Sequence, residues 1–300
     1  MTRLAKQQRI IVGQAAAITG GGRGIGLATA RALVREGVRV AIGDLDLAAA
    51  EKAVEELGSG AIALPLDVTD PDSFETFIAA AEEQLGPVDI MINNAGIMQL
   101  GAFVDEPLAT TRRMIDINIY GVHYGCMLTL PKMLERGRGH IVNIASSAGK
   151  GGYPGGATYC GTKHYVVGMS EALRWETRGT DVEISCVMPV VVKTELGSGL
   201  QQTRGIKHAT PEDVADEIIS ALKSPRFDVY VPRIAGPLNQ IAAVLPRRGR
   251  EAIIRAVKAD KVLSQVDDSA RAAYELRASQ STGTELAAAR LQELEPGDPD

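Results

Sequence analysis

The sequence predicts an α/β fold: a doubly wound parallel sheet with helices on both faces, followed by a helical C-terminal extension. Three observations predict it. Short apolar runs alternate with amphipathic stretches from Ala15 to Val231, and strands alternating with helices pair in parallel because each helix carries the chain back across the sheet. Several of the runs (AIALPL, IMIN, HIVNIA) are apolar without alternation, as in strands covered on both faces. The first run leads straight into a cluster of glycines, the sign of a tight strand-to-helix turn.

The elements follow in order. Ala15–Thr19 is the first strand, and Ile25–Glu36 the first helix, closed by Gly37. Arg39–Asp44 is the second strand, Leu47–Leu57 a helix closed by Gly58, and Ala61–Pro65 the third strand. Asp70 and Pro71 open a third helix, as cap and first-turn residue. Asp89–Asn93 is a strand, Leu108 to Arg136 one long helix, and His140–Ala145 another strand. A helix near Tyr159–Arg178, the strand Glu183–Pro189, the helix Pro211–Leu222 and the strand Asp228–Val231 complete the pattern. Helical segments follow near Pro237–Leu245, Arg250–Lys258, Ser269–Gln280 and Glu285–Leu294. The expected organisation is a dinucleotide-binding catalytic domain over 1–235, an extension over 236–295 packed on or near it, and a disordered tail over 296–300.

Composition narrows the function. With 300 residues, 45% of them hydrophobic, the chain can bury a sizeable core. A net charge of −5 disfavours a protein that coats nucleic acid. Cys126, Cys160 and Cys186 are odd in number and show no CxxC spacing, which points to a reducing, cytoplasmic setting. His123, His140, His164 and His208 show no metal-ligand spacing, so no metal is expected. Arg3, Lys6 and Arg9 before the apolar run Ile10–Ile18 superficially resemble a leader peptide. Gly13 and Gln14 interrupt that run and no small-residue cleavage site follows, so it reads as the entry to the first strand. No apolar run reaches the roughly 18 residues of a membrane span.

The glycine cluster is Thr19-Gly20-Gly21-Gly22-Arg23-Gly24-Ile25-Gly26. Gly20 permits the turn, Gly24 lets the backbone approach a pyrophosphate, and Gly26 lets helix pack on strand. The helix that follows offers free N–H groups and the positive end of its dipole to phosphates. Gly22, Arg23 and Ile25 share the loop and are candidate contacts. Asp44 ends the second strand 18 residues after Gly26, where an acid accepts hydrogen bonds from the adenosine ribose. Its charge would repel a 2′-phosphate, which favours NAD over NADP. Arg23 pulls the other way, while Leu45, beside Asp44, offers a phosphate nothing. The competing readings are a plain tight turn for the glycines and a strand-end cap for Asp44.

Tyr159 and Lys163 stand four apart in YCGTK, on one face of a helix. A free phenol has a pKa of about 10, and a nearby ammonium favours the phenolate. Ser146 lies 13 residues upstream, just past the strand HIVNIA, at the carboxyl end of the sheet where ligands bind. Its hydroxyl could bond a substrate oxygen; Ser147 is its rival. Cys160 and Trp175 read as packing residues, and His164 as a non-catalytic residue on a different face of the helix.

In combination these motifs resemble the short-chain dehydrogenase/reductase family over about Gln14 to Val231, which implies a Rossmann-like sheet. TGGGRGIG resembles the family's cofactor loop, Asp67-Val68 its adenine-contacting pair, and Asn93-Asn94-Ala95-Gly96 its NNAG motif. Asn118 falls where the family carries a catalytic asparagine, and Ser146, Tyr159 and Lys163 complete its tetrad. Pro189 and Thr194 match the segment that touches the nicotinamide, but Val190 stands where the family has glycine. The resemblance implies that Ser146 orients the substrate and that Tyr159 is general base in oxidation and acid in reduction. It also implies that Lys163 lowers the tyrosine's pKa and holds the nicotinamide ribose, and that Asn118 anchors a proton-relaying water. It implies a homodimer or homotetramer too.

Thr194 to Thr210, with Gly197, Gly199 and Gly205, corresponds to the substrate lid. Met98, Leu100, Tyr153 and Met188 are expected nearby, so a hydrophobic secondary alcohol or ketone is the expected small-molecule substrate, steroids and retinoids included. The extension mixes an apolar run with Arg247, Arg248, Arg250 and Arg255. It is expected to cover the substrate site or a subunit interface in preference to lying on a membrane. A non-catalytic dinucleotide-binding sensor or scaffold is the alternative function.

Overall fold

The computed structural model describes residues 8–201, 203 and 207–280. Within them, β1 (Ala15–Thr19), β2 (Arg39–Asp44), β3 (Ala61–Pro65), β4 (Val88–Asn93), β5 (Gly139–Ile144), β6 (Val182–Pro189) and β7 (Asp228–Val231) pair in parallel in the order β3-β2-β1-β4-β5-β6-β7. The order reverses between β1 and β4, so the crossovers leave in opposite directions there and a crevice opens beyond the strand ends. Strand pleat sends alternate residues to opposite layers. Ala15 and Ala17 join a core with Phe74, Phe77, Met114 and Met133, whereas Ala16 and Ile18 join one with Leu33, Ala50, Ile218 and Leu222.

The helices are α1 (Gly24–Arg35), α2 (Leu47–Leu57), α3 (Pro71–Leu85), α4 (Leu108–Ile115), α5 (Gly121–Arg136), α6 (Ala157–Glu176), α7 (Pro211–Lys223), α8 (Ala235–Val244), α9 (Arg247–Ala256) and α10 (Asp268–Ser279). Asp70 caps α3 by accepting from the Asp72 N–H, with Pro71 in the first turn.

Three expectations change. The long helix is two, α4 and α5, joined without a break in direction by a π turn over Asp116–Tyr120. β3 lies at the sheet edge: Ile62 and Leu64 pack on one core and Ala61 and Ala63 on the other, but Ile62, Ala63 and Leu64 are only half-buried. α9 starts at Arg247, three residues early, and Lys258 leaves it in a left-handed conformation (φ 58°). The expected helix Glu285–Leu294 and the tail 296–300 lie outside the described residues. Among those described, no helix is long and apolar enough to cross a membrane.

Candidate active site

A cleft of about 830 Å³ runs along the carboxyl ends of the strands, and sixteen of the expected site residues line it. At one end is the glycine loop. Gly20 (φ 63°) and Gly24 (φ 53°) hold left-handed backbone, and Gly20, Arg23, Gly24 and Ile25 face the cleft. Gly26 and Gly22 sit behind that surface. A Cβ on Gly26 would stand 2.3 Å from the Gly20 carbonyl oxygen, so the loop closes this tightly only over a glycine. Asn94 acts as the staple. Its amide donates to the carbonyls of Thr19 and Gly20, each at 2.9 Å, while the Thr19 hydroxyl receives the N–H groups of Asn94 and Ala95. The NNAG segment thus ties β4 to β1 beneath the loop.

Asp44 reaches the cleft from β2. One carboxylate oxygen accepts the Gly22 N–H at 2.9 Å and the other the Asp46 N–H at 3.1 Å. Burial raises its pKa, and those two backbone donors act against the rise. Arg23 is not free to meet a phosphate in this arrangement, because its guanidinium is ion-paired with Asp46. Nor does a side chain cap α1 from Arg23, so the first N–H groups of α1 are left for a ligand. Leu45, Asp67 and Val68 line the same end, as do Ala95 and Gly96. The Asp67 carboxylate accepts from the Thr69 N–H and hydroxyl.

At the other end, α6 presents Tyr159 and Lys163 one turn apart, both buried, with Lys163 Nζ 5.8 Å from the phenol ring centre. Ser146, past β5, accepts the Ala148 N–H at 3.1 Å, and its hydroxyl beside Tyr159 favours the phenolate. Ser147 shares the wall. Burial nevertheless pushes the phenol up to about 12 and the Lys163 ammonium down to about 8. The expected lowering of the tyrosine by the lysine is not expressed here: desolvation dominates both groups, and the ammonium spends a 3.0 Å hydrogen bond on the Ile144 carbonyl.

Asn118 is fully buried in the π turn and does not line the cleft. Its amide oxygen accepts the Ile97 N–H and its nitrogen donates to the Ile97 carbonyl, each at 2.8 Å, and to Thr162 Oγ1 at 3.1 Å. Both amide hydrogens and one lone pair of the oxygen are thereby engaged. Gly96 makes room here, since a Cβ would meet Asn118 Oδ1 at 3.2 Å and Lys163 Nζ at 3.5 Å.

Val190 is accommodated without strain: its N–H donates to Val231 at 2.9 Å, and its φ is not positive. Pro189 and Thr194 line the cleft, and Thr194 Cγ2 would lie 3.3 Å from a Cβ on Gly24, across from the glycine loop. Of the apolar residues expected near the substrate, Met98 and Tyr153 line the cleft. Met188 is fully buried inside the sheet layer, and Leu100 packs under Gly156 instead. Cys160 is buried with its thiol raised by desolvation, as suits packing. Trp175 is exposed between the guanidinia of Arg174 and Arg178, neither packed nor in the cleft. Among the described residues no cluster of His, Cys, Asp or Glu could hold a metal.

Sequence reasoning missed the contribution of α10. Arg271, 1% exposed, donates to the carbonyls of Leu196 (2.9 Å), Ser198 (3.0 Å) and Met98 (2.7 Å). Tyr274 lines the cleft and accepts the Met98 N–H at 2.7 Å. In the sequence both look like ordinary residues of a polar helix; only the 3.6-residue period was visible. α8 and α9 line the outer part of the cleft, through Leu238, Ile241, Ile254 and Val257 among others.

The short chain dehydrogenase family model matches residues 14–205. The chain is 37% identical over 225 residues to a glycine betaine reductase of Emericella nidulans, covering 71% of this chain but only 18% of that protein. It is 35% identical over 231 residues to the ketoacyl reductase HetN of Nostoc, covering 74% and 79%. A solved short chain dehydrogenase/reductase from Burkholderia phymatum, in complex with NAD, superposes with a TM-score of 0.72 at 25% identity, over 78% of this chain and 94% of that one. A family match over more than half the chain, carried on a switch-point cleft that unites glycine loop, serine, tyrosine and lysine, establishes that the chain belongs to the short-chain dehydrogenase/reductase family.

Proposed function

We propose that this protein is an oxidoreductase that moves a hydride between NAD(H) and a hydrophobic secondary alcohol or ketone. The observation that carries the reading is the meeting of Ser146, Tyr159 and Lys163, the last one helical turn from the tyrosine, in the cleft whose far end is the glycine loop. The residues present fit the cofactor. α1 offers uncapped N–H groups to a pyrophosphate, and the glycines leave room for its approach. Each Asp44 oxygen carries one protein donor, which leaves acceptor capacity for ribose hydroxyls. Its charge, together with an Arg23 held by Asp46, supports NAD over NADP. Leu45, Asp67 and Val68 would flank the adenine end, and Pro189 and Thr194 the nicotinamide end.

When bound, the cofactor supplies the hydride acceptor or donor. The chain's own groups hold the substrate and move the proton. Ser146 orients the substrate oxygen. Tyr159 takes the hydroxyl proton in oxidation and returns it in reduction, a transfer that typically contributes about 10²–10⁴-fold. Lys163, still largely protonated at neutral pH, supplies the positive charge that offsets burial of the phenolate. In this reading Asn118 anchors a water that relays protons through Lys163.

Among the described residues, those up to 235 form the catalytic unit in this reading and 236–280 its cover. α5 and α6 expose Met127, Leu134 and Tyr165, which supports an oligomer built through these helices. Three free cysteines suit the cytoplasm.

The test is NADH formation by the purified protein with a panel of secondary alcohols. Tyr159→Phe should lose at least about 10²-fold in turnover while NAD binding holds. Unchanged turnover in that variant would refute the mechanism. Turnover with NADP alone would refute the role given to Asp44. A cofactor that binds while the whole panel stays inert would favour a sensor.

A further inference from the structure

α8 and α9 form a hairpin at the outer end of the cleft, and among the described residues nothing covers its exposed apolar side chains. On α8, Ile234 is 63% exposed, Leu238 48%, Ile241 56% and Val244 83%. Steps of four, three and three residues keep them on one face. Ile253 on α9 adds to the patch. Single exposed apolar residues are ordinary, but five on one hairpin make a surface that calls for a partner. The charge around it is selective. Residues 233–261 hold seven basic residues against Glu251 and Asp260, a net of +5 in a chain whose net is −5. Arg233 is engaged by Glu217 and Arg247 by Glu251. Among the described residues, Arg248, Arg250 and Arg255 are exposed and paired with no acid.

We propose that this hairpin docks on an anionic lipid bilayer, with the α8 face among the acyl chains and the arginines at the level of the phosphates. An apolar stripe rimmed by unpaired cations is what such a surface binds. A second copy fits worse, because two-fold pairing would set one net +5 face against another. Leu238, Ile241 and Ile253 also line the cleft, so its outer opening lies on the docking face. On the functional reading above, an apolar alcohol or ketone dissolved in the bilayer then reaches Tyr159 without crossing water.

The experiment is co-sedimentation of the full chain with two kinds of vesicle, one of phosphatidylcholine alone and one of phosphatidylcholine and phosphatidylglycerol at two to one. Partition onto the anionic vesicles should exceed that onto the neutral ones about tenfold at about 0.1 M salt. It should fall away near 1 M, where the screening length shrinks to about 3 Å. Arg248→Glu with Arg255→Glu, and separately Ile234→Asp with Val244→Asp, should reduce it to the neutral level. None of these four residues lines the cleft, and unchanged NAD binding would show the fold intact. Equal partition onto both vesicles, or none, overturns the proposal. So does an oligomer that Ile234→Asp with Val244→Asp dissociates in the absence of lipid, or capture by an acidic polypeptide but not by vesicles. The readout involves no turnover, so it stands or falls separately from the oxidoreductase reading.

Discussion

The Arg271 guanidinium donates a 2.7 Å hydrogen bond to the carbonyl of Met98, 173 residues away in the chain. The same ion holds Leu196 and Ser198, so α10 ties the segment after β6 to the loop after β4, on the wall of the cleft. Arg271→Met keeps the length of the stem but leaves three carbonyls without their donor. Charge-assisted bonds contribute about 1.5–3 kcal/mol each, so a loss of at least about 3 kcal/mol is expected in a urea unfolding midpoint. Limited proteolysis should cut faster near Leu196–Leu200, and KM should rise more than kcat falls. Unchanged proteolysis would mean that the segment does not depend on α10.

Gly26 and Gly161 make opposite predictions for the same substitution. A Cβ on Gly26 would overlap the Gly20 carbonyl oxygen at 2.3 Å and Gly21 Cα at 2.9 Å. Because both contacts are backbone, the loop itself must move. Gly26→Ala should weaken NAD binding at least about tenfold and cost about 1–3 kcal/mol. Gly161 lies within α6 with nothing within 4 Å of the added methyl. Gly161→Ala should stabilise by about 0.5–1 kcal/mol through helix propensity alone. Thermal unfolding of both variants, with NAD titration by fluorescence, checks the pair.

Asp44 serves both the loop and the proposed cofactor preference. Asp44→Asn keeps an acceptor for one backbone N–H but removes the charge that would meet a 2′-phosphate. The ratio of NADP to NAD affinity should rise roughly tenfold, the scale of one charge-assisted contact. A ratio that does not move would show that Asp44 only braces the glycine loop.

Much of this was legible because its signals are local. β2, α2, β3 and β7 have the limits that the sequence suggested, and the positive-φ glycines Gly37 and Gly58 are the punctuation that made them readable. The glycine loop, Asp44, Ser146, Tyr159 and Lys163 are short motifs at strand ends, and the switch point brings them to one cleft. What stayed hidden depends on distant partners. The π turn sits where Asn118 grips the Ile97 backbone, 21 residues away, which no local propensity encodes. Met188 and Leu100 have the right chemistry for a substrate wall, but residue type does not say which side of a strand end faces the cleft. Arg271 reads as a solvated cation until α10 is laid against Met98.

His140 makes the last prediction, on acid stability. It is 4% exposed on β5, and burial drives its pKa from 6.5 down to about 3, with the positive charge of Arg9 adding to the effect. Ser185 gives its one hydroxyl hydrogen to the Arg226 carbonyl, so it accepts from His140 Nε2, and the ring is neutral with its proton on that nitrogen. The unfolded chain protonates this histidine near pH 6.5 and the folded chain only near pH 3. Between those values the unfolded state binds more protons, so stability falls as pH falls. At about 1.4 kcal/mol per pH unit, lowering the pH from 7 to 5 should cost about 2 kcal/mol from this residue. His140→Gln retains a donor for Ser185 without a titrating group. Its urea midpoint should therefore vary less between pH 7 and 5 than that of the parent. Equal slopes in the two proteins would place the acid sensitivity elsewhere.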